Sequence, residues 1–357
     1  MLDEAIKYSY NDVAVEPAII SDIKHRKECN PFDSNGYLPI FTAPMSSVIN
    51  EKNWNVFDSN KVYPIIPRTV SFDSRLKFLE TEKTWVAFGL SEFKSLFVDT
   101  DGGNKKYHVL IDIANGHMKE LYDQISKAKE KYPEMIVMAG NIANPETYRY
   151  ISETYKGAID YIRIGIGSGS GCITSSNVSI HYPMASLIDD CKYVKDGNYF
   201  APKIVADGGI RNYSDVIKAL ALGADYVMIG GLFSSCIESC AGTYILNDNG
   251  EYIRMFDYQV KDFLENPESQ YRDKVYKKFY GMASREGQID LNGSKTHTSE
   301  GIAKYIKVKY RLSQWTENMA DYLRSAMSYT SNNTLDQFIN NTDCTIISNN
   351  TYSSLNK

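Results

Sequence analysis

The sequence predicts an α/β fold, a (β/α)8 TIM barrel built as a single domain, and two observations predict it. Eight short apolar segments recur between residues 38 and 230, each too short for a helix and bounded by turn residues. Stretches with the apolar spacing of helices separate most of them, and this alternation is typical of a parallel sheet covered on both faces. Eight such units favour a closed barrel over an open doubly wound sheet, which normally has fewer strands.

The predicted elements follow one another in a regular order. The eight predicted strands span residues 38–43, 62–66, 85–89, 109–113, 136–140, 161–166, 204–207 and 226–230. Predicted helices at 119–132, 145–155 and 213–222 follow the fourth, fifth and seventh strands. Polar residues and glycines come at the ends of the last five strands or just after them, among them Asp112, Asn141 and Asp207. The carboxyl ends of barrel strands share one rim, where active sites lie, so we expect these residues to meet there.

Composition and charge narrow the class of protein. Hydrophobic residues make up 43% of the chain, and the formal net charge of −5 does not favour a nucleic-acid-binding surface. No segment approaches the roughly 18 apolar residues of a membrane helix, and the N-terminus lacks a signal-peptide pattern. The six cysteines lack paired metal-ligand spacing, so we expect no zinc site and a cytoplasmic protein with free thiols.

The most informative segment is the cysteine loop, residues 165–174, which read GIGSGSGCIT directly after an apolar run. Its four alternating glycines allow positive φ angles and turn backbone groups toward a ligand. Cys172 near its end is placed to attack a bound nucleotide. The alternative is a glycine-rich turn that holds a buried structural cysteine.

Motifs along the chain carry a resemblance to a known family. They are YNDV at 10–13, APMSSV at 43–48, IDIANGH at 111–117, AGNI at 139–142, the cysteine loop, ADGGIR at 206–211, VMIGG at 227–231, YGMAS at 280–284 and SEG at 299–301. In order and spacing the chain resembles the IMP dehydrogenase / GMP reductase family of (β/α)8 barrels across roughly residues 8–340.

The resemblance implies an activity within that family. The dehydrogenases usually carry inserted regulatory (CBS) repeats and a long flap with an Arg-Tyr pair that activates water. Here the second and third strands are too close for such repeats, and no Arg-Tyr pair lies between Ser284 and Glu300. The resemblance therefore favours NADPH-dependent reduction of GMP to IMP and ammonia. The alternatives are an NAD-dependent IMP dehydrogenase and a catalytically weak regulator that binds purine nucleotides.

The resemblance also assigns roles to residues of this chain. Cys172 would attack C2 of the purine, Thr174 would protonate the departing amino group, and Glu300 would supply that proton. The residues implied for the nucleotide are Ser170, Asp207, Gly208, Gly209, Gly230, Gly231, Gly281, Met282, Ala283, Ser299 and Gly301. Those implied for the nicotinamide cofactor are Asp112, Ile113, Ala114, Ile166, Gly167, Arg68, Ser325 and Ser328. The carbonyl groups implied for a potassium ion are those of Gly167, Gly169 and Cys172.

The domain organisation is expected to be simple. Residues 1–340 would form the barrel, with an insertion at about 255–275, and residues 341–357 a polar, flexible tail. Family barrels usually form tetramers, so a homotetramer is expected. We expect the protein to bind neither a nucleic acid nor a membrane.

Overall fold

The computed structural model describes residues 6–81, 84–169, 171–266, 274–294 and 298–355. After a short strand β1 (Val13–Val15), eight parallel strands form one sheet. They are β2 (Ile40–Thr42), β3 (Ile65–Ile66), β4 (Trp85–Phe88), β5 (His108–Ile111), β6 (Ile136–Ile142), β7 (Tyr161–Ile164), β8 (Lys203–Asp207) and β9 (Tyr226–Ile229).

The eight strands make a ring. Their order is β2-β9-β8-β7-β6-β5-β4-β3, and an isolated parallel bridge between Phe41 and Tyr63 joins β2 to the residues leading into β3. Each predicted strand coincides with one observed strand, so the predicted (β/α)8 barrel is confirmed. The first two are shorter than predicted, because Leu38 and Val62 are buried but lie outside the hydrogen-bonded ladder.

Helices surround this ring. In chain order they are α1 (Trp54–Ser59), α2 (Phe72–Leu79), α3 (Leu90–Phe93), α4 (Lys119–Lys131), α5 (Pro145–Thr154), α6 (Thr174–Asn177), α7 (Met184–Asp196), α8 (Tyr213–Ala221), α9 (Gly231–Ser234), α10 (Asp257–Glu265), α11 (Arg285–Asn292), α12 (Leu312–Tyr329), α13 (Leu335–Asn341) and α14 (Asn349–Leu355). The three predicted helices are confirmed as α4, α5 and α8, each one residue shorter than predicted. Asn144 and Asn212 begin α5 and α8 by accepting hydrogen bonds from free backbone N–H groups of the first turn.

Alternate strand residues face the barrel axis and the helices. Phe41, Trp85, Leu110, Met138 and Val205 fill the interior, while their strand neighbours pack under the helices in the larger core. This alternation explains why each strand reads as a continuous apolar run. No helix among the described residues has the length and apolar character needed to span a membrane.

A second, antiparallel sheet covers one side of the rim. Its strands β10 (Thr243–Leu246), β11 (Tyr252–Arg254), β12 (Val275–Tyr280) and β13 (Ala303–Lys307) have the order β11-β10-β12-β13. Helix α10 lies within the expected insertion at 255–275, of which residues 267–273 lie outside the described part. The sheet matters for function because β12 leads into residues 281–284 of the candidate site.

The C-terminal segment differs from the expected flexible tail. Strand β14 (Cys344–Ile346) pairs antiparallel with β1, and helix α14 follows it. Ile346 lies opposite Val13, and Ile347 N–H donates to the Asp12 carbonyl at 2.8 Å. These backbone bonds hold residues 344–347 against the start of the barrel, although the composition of this segment is polar.

The second sheet buries a lysine that has consequences for stability. Lys277 on β12 is 3% exposed, and its ammonium donates to the carbonyls of Ser239 and Ala241 at 2.9 and 3.2 Å. Burial lowers the pKa of Lys277 to about 8. In the unfolded chain a lysine keeps its proton up to about pH 10.4.

We expect the contribution of Lys277 to stability to rise with pH above about 8. Between that pH and about 10.4 the unfolded state binds more protons than the folded state, so the free energy of unfolding increases. Relative to Lys277→Met, the wild type should gain about 1–2 kcal/mol between pH 8 and pH 9.5. Urea unfolding of both proteins across this range measures the difference, and a difference that does not change with pH would contradict the prediction.

Candidate active site

The cysteine loop is held by a segment far away in the sequence. Cys172 forms an antiparallel bridge with Gly301. On either side of it, Ile173 N–H donates to the Glu300 carbonyl at 2.9 Å and Ile302 N–H donates to the Gly171 carbonyl at 3.0 Å. Two backbone bonds therefore fix the register that places the side chain of Glu300 next to the loop.

A hydrogen-bonded chain of side chains results from this register. The Cys172 thiol donates to Thr174 Oγ1 at 3.2 Å, and the Thr174 hydroxyl donates to Glu300 Oε2 at 2.8 Å. Thr174 and Glu300 are 126 residues apart. The three groups are partly exposed. A proton can thus pass between the thiol and the carboxylate through one hydroxyl.

The other five cysteines are in different surroundings. Burial raises the pKa of Cys29, Cys191 and Cys236 above the ordinary thiol value, and raises it to about 12 for Cys240 and Cys344. The thiolate is the reactive form, so these five are poor nucleophiles near neutral pH. All six cysteines are free thiols, as the sequence predicts.

Gly208 and Gly209 lie where the chain approaches the cysteine loop and Tyr10 closely. Gly208 has φ +109°, and a Cβ built on it would lie 2.4 Å from Ser168 Oγ. Gly209 has φ +78°, and its Cβ would lie 3.2 Å from the ring of Tyr10. The positive φ would strain a side chain at either position, and at Gly208 its Cβ would also collide with Ser168, which explains the two glycines. The Ser168 hydroxyl and the Tyr10 hydroxyl are buried, and neither has a hydrogen-bond partner among the described residues.

Asp207 stands at the centre of a polar network on the rim. Asn141 Nδ2 donates to its carboxylate at 2.8 Å, and the guanidinium of Arg163 lies 3.6 Å away. Arg163 also forms an ion pair with Asp112 at 2.7 Å. Burial raises the pKa of Asp207, while Arg163 and Asn141 act in the opposite direction. Arg163 therefore links Asp207, which is implied for the nucleotide, to Asp112, which is implied for the cofactor.

Most residues implied for the nucleotide lie around the cysteine loop. A Cβ on Gly281 would lie 3.4 Å from the Gly171 carbonyl, and Glu300 N–H donates to the Ala283 carbonyl at 3.0 Å. In the sequence, Met282 lies between Gly281 and Ala283, and Ser299 and Gly301 flank Glu300. Gly230 and Gly231 begin α9 directly after β9, on the same rim. Ser170 lies outside the described residues.

The residues implied for the cofactor fall into two groups. Arg68 Nη1 donates to the Asp112 carbonyl at 3.1 Å, and Ile113 and Ala114 follow Asp112 after β5. Ile166 and Gly167 belong to the cysteine loop itself.

Ser325 and Ser328 lie at the end of α12 and contact the N-terminal segment instead. Arg26 Nη1 donates to Ser325 Oγ at 3.2 Å, and Ser21 Oγ donates to the Ser328 carbonyl at 2.9 Å. Within the described chain no hydrogen bond joins either serine to Asp112 or to the cysteine loop. The expected grouping of these two serines with Asp112 is thus not seen within one chain.

Two of the three loop carbonyls implied for potassium, those of Gly167 and Gly169, already accept hydrogen bonds. Ser175 Oγ donates to the Gly167 carbonyl at 2.9 Å, and Cys172 N–H donates to the Gly169 carbonyl at 3.0 Å. A carbonyl oxygen has two lone pairs, so each keeps one for a cation. In the part of the chain that the structure describes, no three His, Cys, Asp or Glu side chains group as metal ligands.

Sequence reasoning did not assign Arg163, Tyr10 or Ser168 to the site. Arg163 lies in the apolar run of β7, and it is only 3% exposed. A charged residue inside a buried strand was the signal that could have identified it, because such a charge needs a partner. Tyr10 and Ser168 carried no comparable signal.

Comparison with known proteins places this site in a family. Residues 104–355 match the model of a protein family that is described as the IMP dehydrogenase / GMP reductase domain. The chain is 31% identical to a GMP reductase of Onchocerca volvulus over 225 residues, which cover 62% of this chain and 54% of the relative. It is 32% identical to an inosine-5'-monophosphate dehydrogenase of Chlorobaculum parvum over 234 residues, 66% of this chain and 44% of the relative.

Another relative extends over nearly the whole chain. A GMP reductase of Buchnera aphidicola is 25% identical over 348 residues, 92% of this chain and 90% of the relative. By contrast, the chain spans about half the length of the first two relatives. The match to residues 104–355 covers most of the barrel and both segments that form the cysteine site. The chain therefore belongs to the IMP dehydrogenase / GMP reductase family.

Proposed function

We propose that this protein is a GMP reductase, which converts GMP to IMP and ammonia with NADPH. The hydrogen-bonded chain from Cys172 through Thr174 to Glu300 is the observation that carries the proposal. In this chain Cys172 is the nucleophile, Thr174 carries the proton and Glu300 is the carboxylate that accepts it. GMP reductases among the relatives support the same assignment.

The first step makes a covalent bond between the protein and the purine. The Cys172 thiol passes its proton through Thr174 to Glu300, and the thiolate attacks C2 of GMP. A thiolate is the reactive form, and a carboxylate two hydrogen bonds away can accept the proton. Glu300 then holds the proton that the next step needs.

The second step releases ammonia. The 2-amino group leaves well only when it is protonated, and a proton donor held at this position assists its departure. Thr174 donates its proton to the leaving nitrogen and is recharged by Glu300. The C2–N bond breaks, and a thioimidate remains on Cys172.

The third step completes the reduction. A nicotinamide cofactor, when bound, supplies a hydride to C2. Cys172 then leaves as a thiolate, and IMP forms. We assign Asp112, Ile113, Ala114, Ile166, Gly167, Arg68, Ser325 and Ser328 to this cofactor. Arg68 fits such a ligand, because its Nε is buried without a hydrogen-bond partner among the described residues, and its Nη1 contacts Asp112.

The phosphate of the nucleotide would lie on the glycine backbone. Gly208 and Gly209 carry no side chain that would cover their backbone N–H groups, and the orphaned Ser168 hydroxyl lies close to Gly208. Ser170, Gly230, Gly231 and the other residues implied for the nucleotide complete this proposal. A buried hydroxyl without a hydrogen bond destabilises the folded protein, and a hydrogen bond from Ser168 to the phosphate would remove that cost.

We expect Ser168→Ala to weaken GMP binding. Loss of a hydrogen bond to a charged group costs about 1.5–3 kcal/mol, so KM for GMP should rise at least about tenfold. The value of kcat should change little, because Ser168 does not touch the reacting atoms. Ser176→Ala is the matched control, since Ser176 is exposed and its hydroxyl contacts just the Ile173 carbonyl and Asn177 among the residues that the structure describes. Equal KM values in the two variants would contradict this role.

Three further features belong to the proposal. A potassium ion would bind to the free lone pairs of the Gly167, Gly169 and Cys172 carbonyls. The protein would act as a homotetramer in the cytoplasm. The cofactor would be NADPH.

The second candidate is an IMP dehydrogenase that uses NAD. A dehydrogenase must activate water to hydrolyse the covalent intermediate. The segment between Ser284 and Glu300 contains no Arg-Tyr pair for that purpose, and α11 occupies its first half. This absence from the sequence favours the reductase.

Two absorbance assays test the assignment. The first follows the loss of NADPH in the presence of GMP, and the second follows the formation of NADH from NAD in the presence of IMP. We expect GMP-dependent oxidation of NADPH and little XMP from IMP. Efficient XMP formation without GMP-dependent loss of NADPH would overturn it.

A further inference from the structure

A row of free backbone donors follows β8. Within the described chain, the N–H groups of Gly208, Gly209 and Ile210 donate no hydrogen bond, and all three residues are partly exposed. The two glycines have φ angles of +109° and +78°. Successive N–H groups in turn conformations of this kind form a concave site for an anion. The phosphate of GMP is proposed to lie on this row.

Two orphaned hydroxyls stand beside the row of donors. Ser168 approaches it from the cysteine loop, where its Oγ lies 2.4 Å from the position of a Cβ on Gly208. Tyr10 approaches it from the N-terminal segment. A Cβ on Gly209 would lie 3.2 Å from Tyr10 Cε2, a ring carbon next to the one that carries the hydroxyl. The proposed reaction uses Ser168 but gives Tyr10 no role.

The position of Tyr10 is fixed by its surroundings. The residue is 4% exposed and belongs to the main hydrophobic core. Its carbonyl accepts a hydrogen bond from Lys218 Nζ at 2.8 Å. Two residues earlier, Tyr8 N–H donates to Ser186 Oγ at 2.8 Å, and Ser186 N–H donates to the Tyr8 carbonyl at 3.1 Å. The Tyr10 hydroxyl therefore cannot turn outward to find a partner in the solvent.

The Tyr10 hydroxyl is a donor without an acceptor. Burial and the negative charges of Asp215 and Asp207 raise the pKa of Tyr10, so it keeps its proton near neutral pH. Neither carboxylate accepts that proton in a hydrogen bond. Asp215 accepts from Arg211 N–H at 2.9 Å, and Asp207 accepts from Asn141 at 2.8 Å. A buried donor left in this state destabilises the protein, and an acceptor on a ligand would remove that cost.

We propose that Tyr10 is a specificity-determining residue, whose hydroxyl donates a hydrogen bond to the 5′-phosphate of the purine nucleotide. Ser168 and Tyr10 then add two hydroxyl donors to the row of backbone N–H groups. A nucleoside, which has no phosphate, leaves both hydroxyls unsatisfied, and a site built to hydrogen-bond a group discriminates strongly against an analogue that lacks it. The inference rests on the proposed function, because it takes the phosphate of GMP as its ligand.

Calorimetric titration of the full-length wild type and Tyr10→Phe with GMP and with guanosine tests this role. Loss of a hydrogen bond to a charged group should weaken GMP binding at least about tenfold. Guanosine should bind both proteins equally, because it brings no phosphate. The urea midpoint of ligand-free Tyr10→Phe should equal or exceed that of the wild type, since the variant loses a hydroxyl that has no partner.

Tyr148→Phe is the matched control. Tyr148 lies in α5 and is fully buried, but its hydroxyl donates to the Pro202 carbonyl at 2.5 Å. Removal of this hydroxyl should lower the urea midpoint, because the buried carbonyl loses a donor. The affinity for GMP should stay at the wild-type value. The two variants thus lose the same atom and are expected to show opposite effects.

Three results would overturn the role of Tyr10. The first is equal GMP affinity in Tyr10→Phe and in a wild type that binds GMP. The second is an equal loss of affinity for GMP and for guanosine, because the role of Tyr10 would then be structural. The third is a lower urea midpoint for ligand-free Tyr10→Phe, because the hydroxyl would then have a partner in the free protein. A wild type that does not bind GMP would reject the proposed function, and this role with it.

Discussion

Cys172→Ala should abolish turnover of GMP while leaving GMP binding nearly intact. Cys172 forms the bond to C2, so its loss removes the covalent path and should lower kcat by at least about 10³-fold. Gly208, Gly209 and Asp207, which are proposed to contact the nucleotide, belong to another segment of the chain. Steady-state kinetics measures the loss, and calorimetric titration with GMP measures binding, which we expect to change by less than about threefold.

A matched cysteine variant controls for general effects of removing a thiol. Cys344 lies in β14, where burial raises the pKa of its thiol to about 12. Cys344→Ala should therefore keep wild-type kcat. Mass spectrometry of the wild type quenched with GMP should find the adduct on the peptide that contains Cys172. Turnover that persists in Cys172→Ala, or an adduct on another cysteine, would rule out the proposed nucleophile.

Glu300→Gln should slow the release of ammonia much more than the transfer of hydride. Glutamine keeps the size of the side chain but cannot hold the proton that Thr174 delivers, and positioned acid catalysis contributes about 10²–10⁴-fold. Exchange of ¹⁵N-ammonia into GMP, with oxidised cofactor bound, should fall by that factor. NADPH formation from IMP and NADP reports hydride transfer, and it is measured in alkaline buffer so that the solvent can take up the thiol proton in place of Glu300.

Glu286→Gln is the control for this experiment. Glu286 is a nearby glutamate in α11 that pairs with Lys278 at 3.2 Å, away from Thr174. Its substitution should leave the exchange rate unchanged. An exchange rate in Glu300→Gln equal to that of the wild type would remove Glu300 from the proton path.

The barrel could be predicted from the sequence because its strands are buried on both faces. Runs such as Val137–Met138 in β6 and Val227–Met228 in β9 have no polar interruption, so their period and length identify them. The second sheet was not predicted. Its strand β12 alternates the buried residues Val275, Lys277 and Phe279 with the partly exposed residues Tyr276, Lys278 and Tyr280. The partners of β12 come from distant parts of the chain. Such pairing depends on tertiary contacts that a single sequence does not reveal.

The site could be predicted only in part. The glycine spacing around Cys172 pointed to a reactive loop, and the resemblance pointed to Thr174 and Glu300. The contact between them depends on the register of the Gly301 bridge, which no local pattern encodes. Ser325 was expected beside the cofactor residues, yet α12 carries it to Arg26. The role of Arg163 became visible only when β7 and its neighbours placed Asp112 and Asp207 around it.

Isotope tracing of a single reaction tests the central claim most directly. GMP labelled with ¹⁵N at the 2-amino group would be incubated with the protein and with NADPH carrying two deuterons at C4 of the nicotinamide. The products would be followed by NMR. The proposed reaction predicts IMP with deuterium at C2 and one equivalent of ¹⁵N-ammonium for each IMP formed. GMP that keeps its ¹⁵N, or IMP without deuterium at C2, would contradict reductive deamination at Cys172.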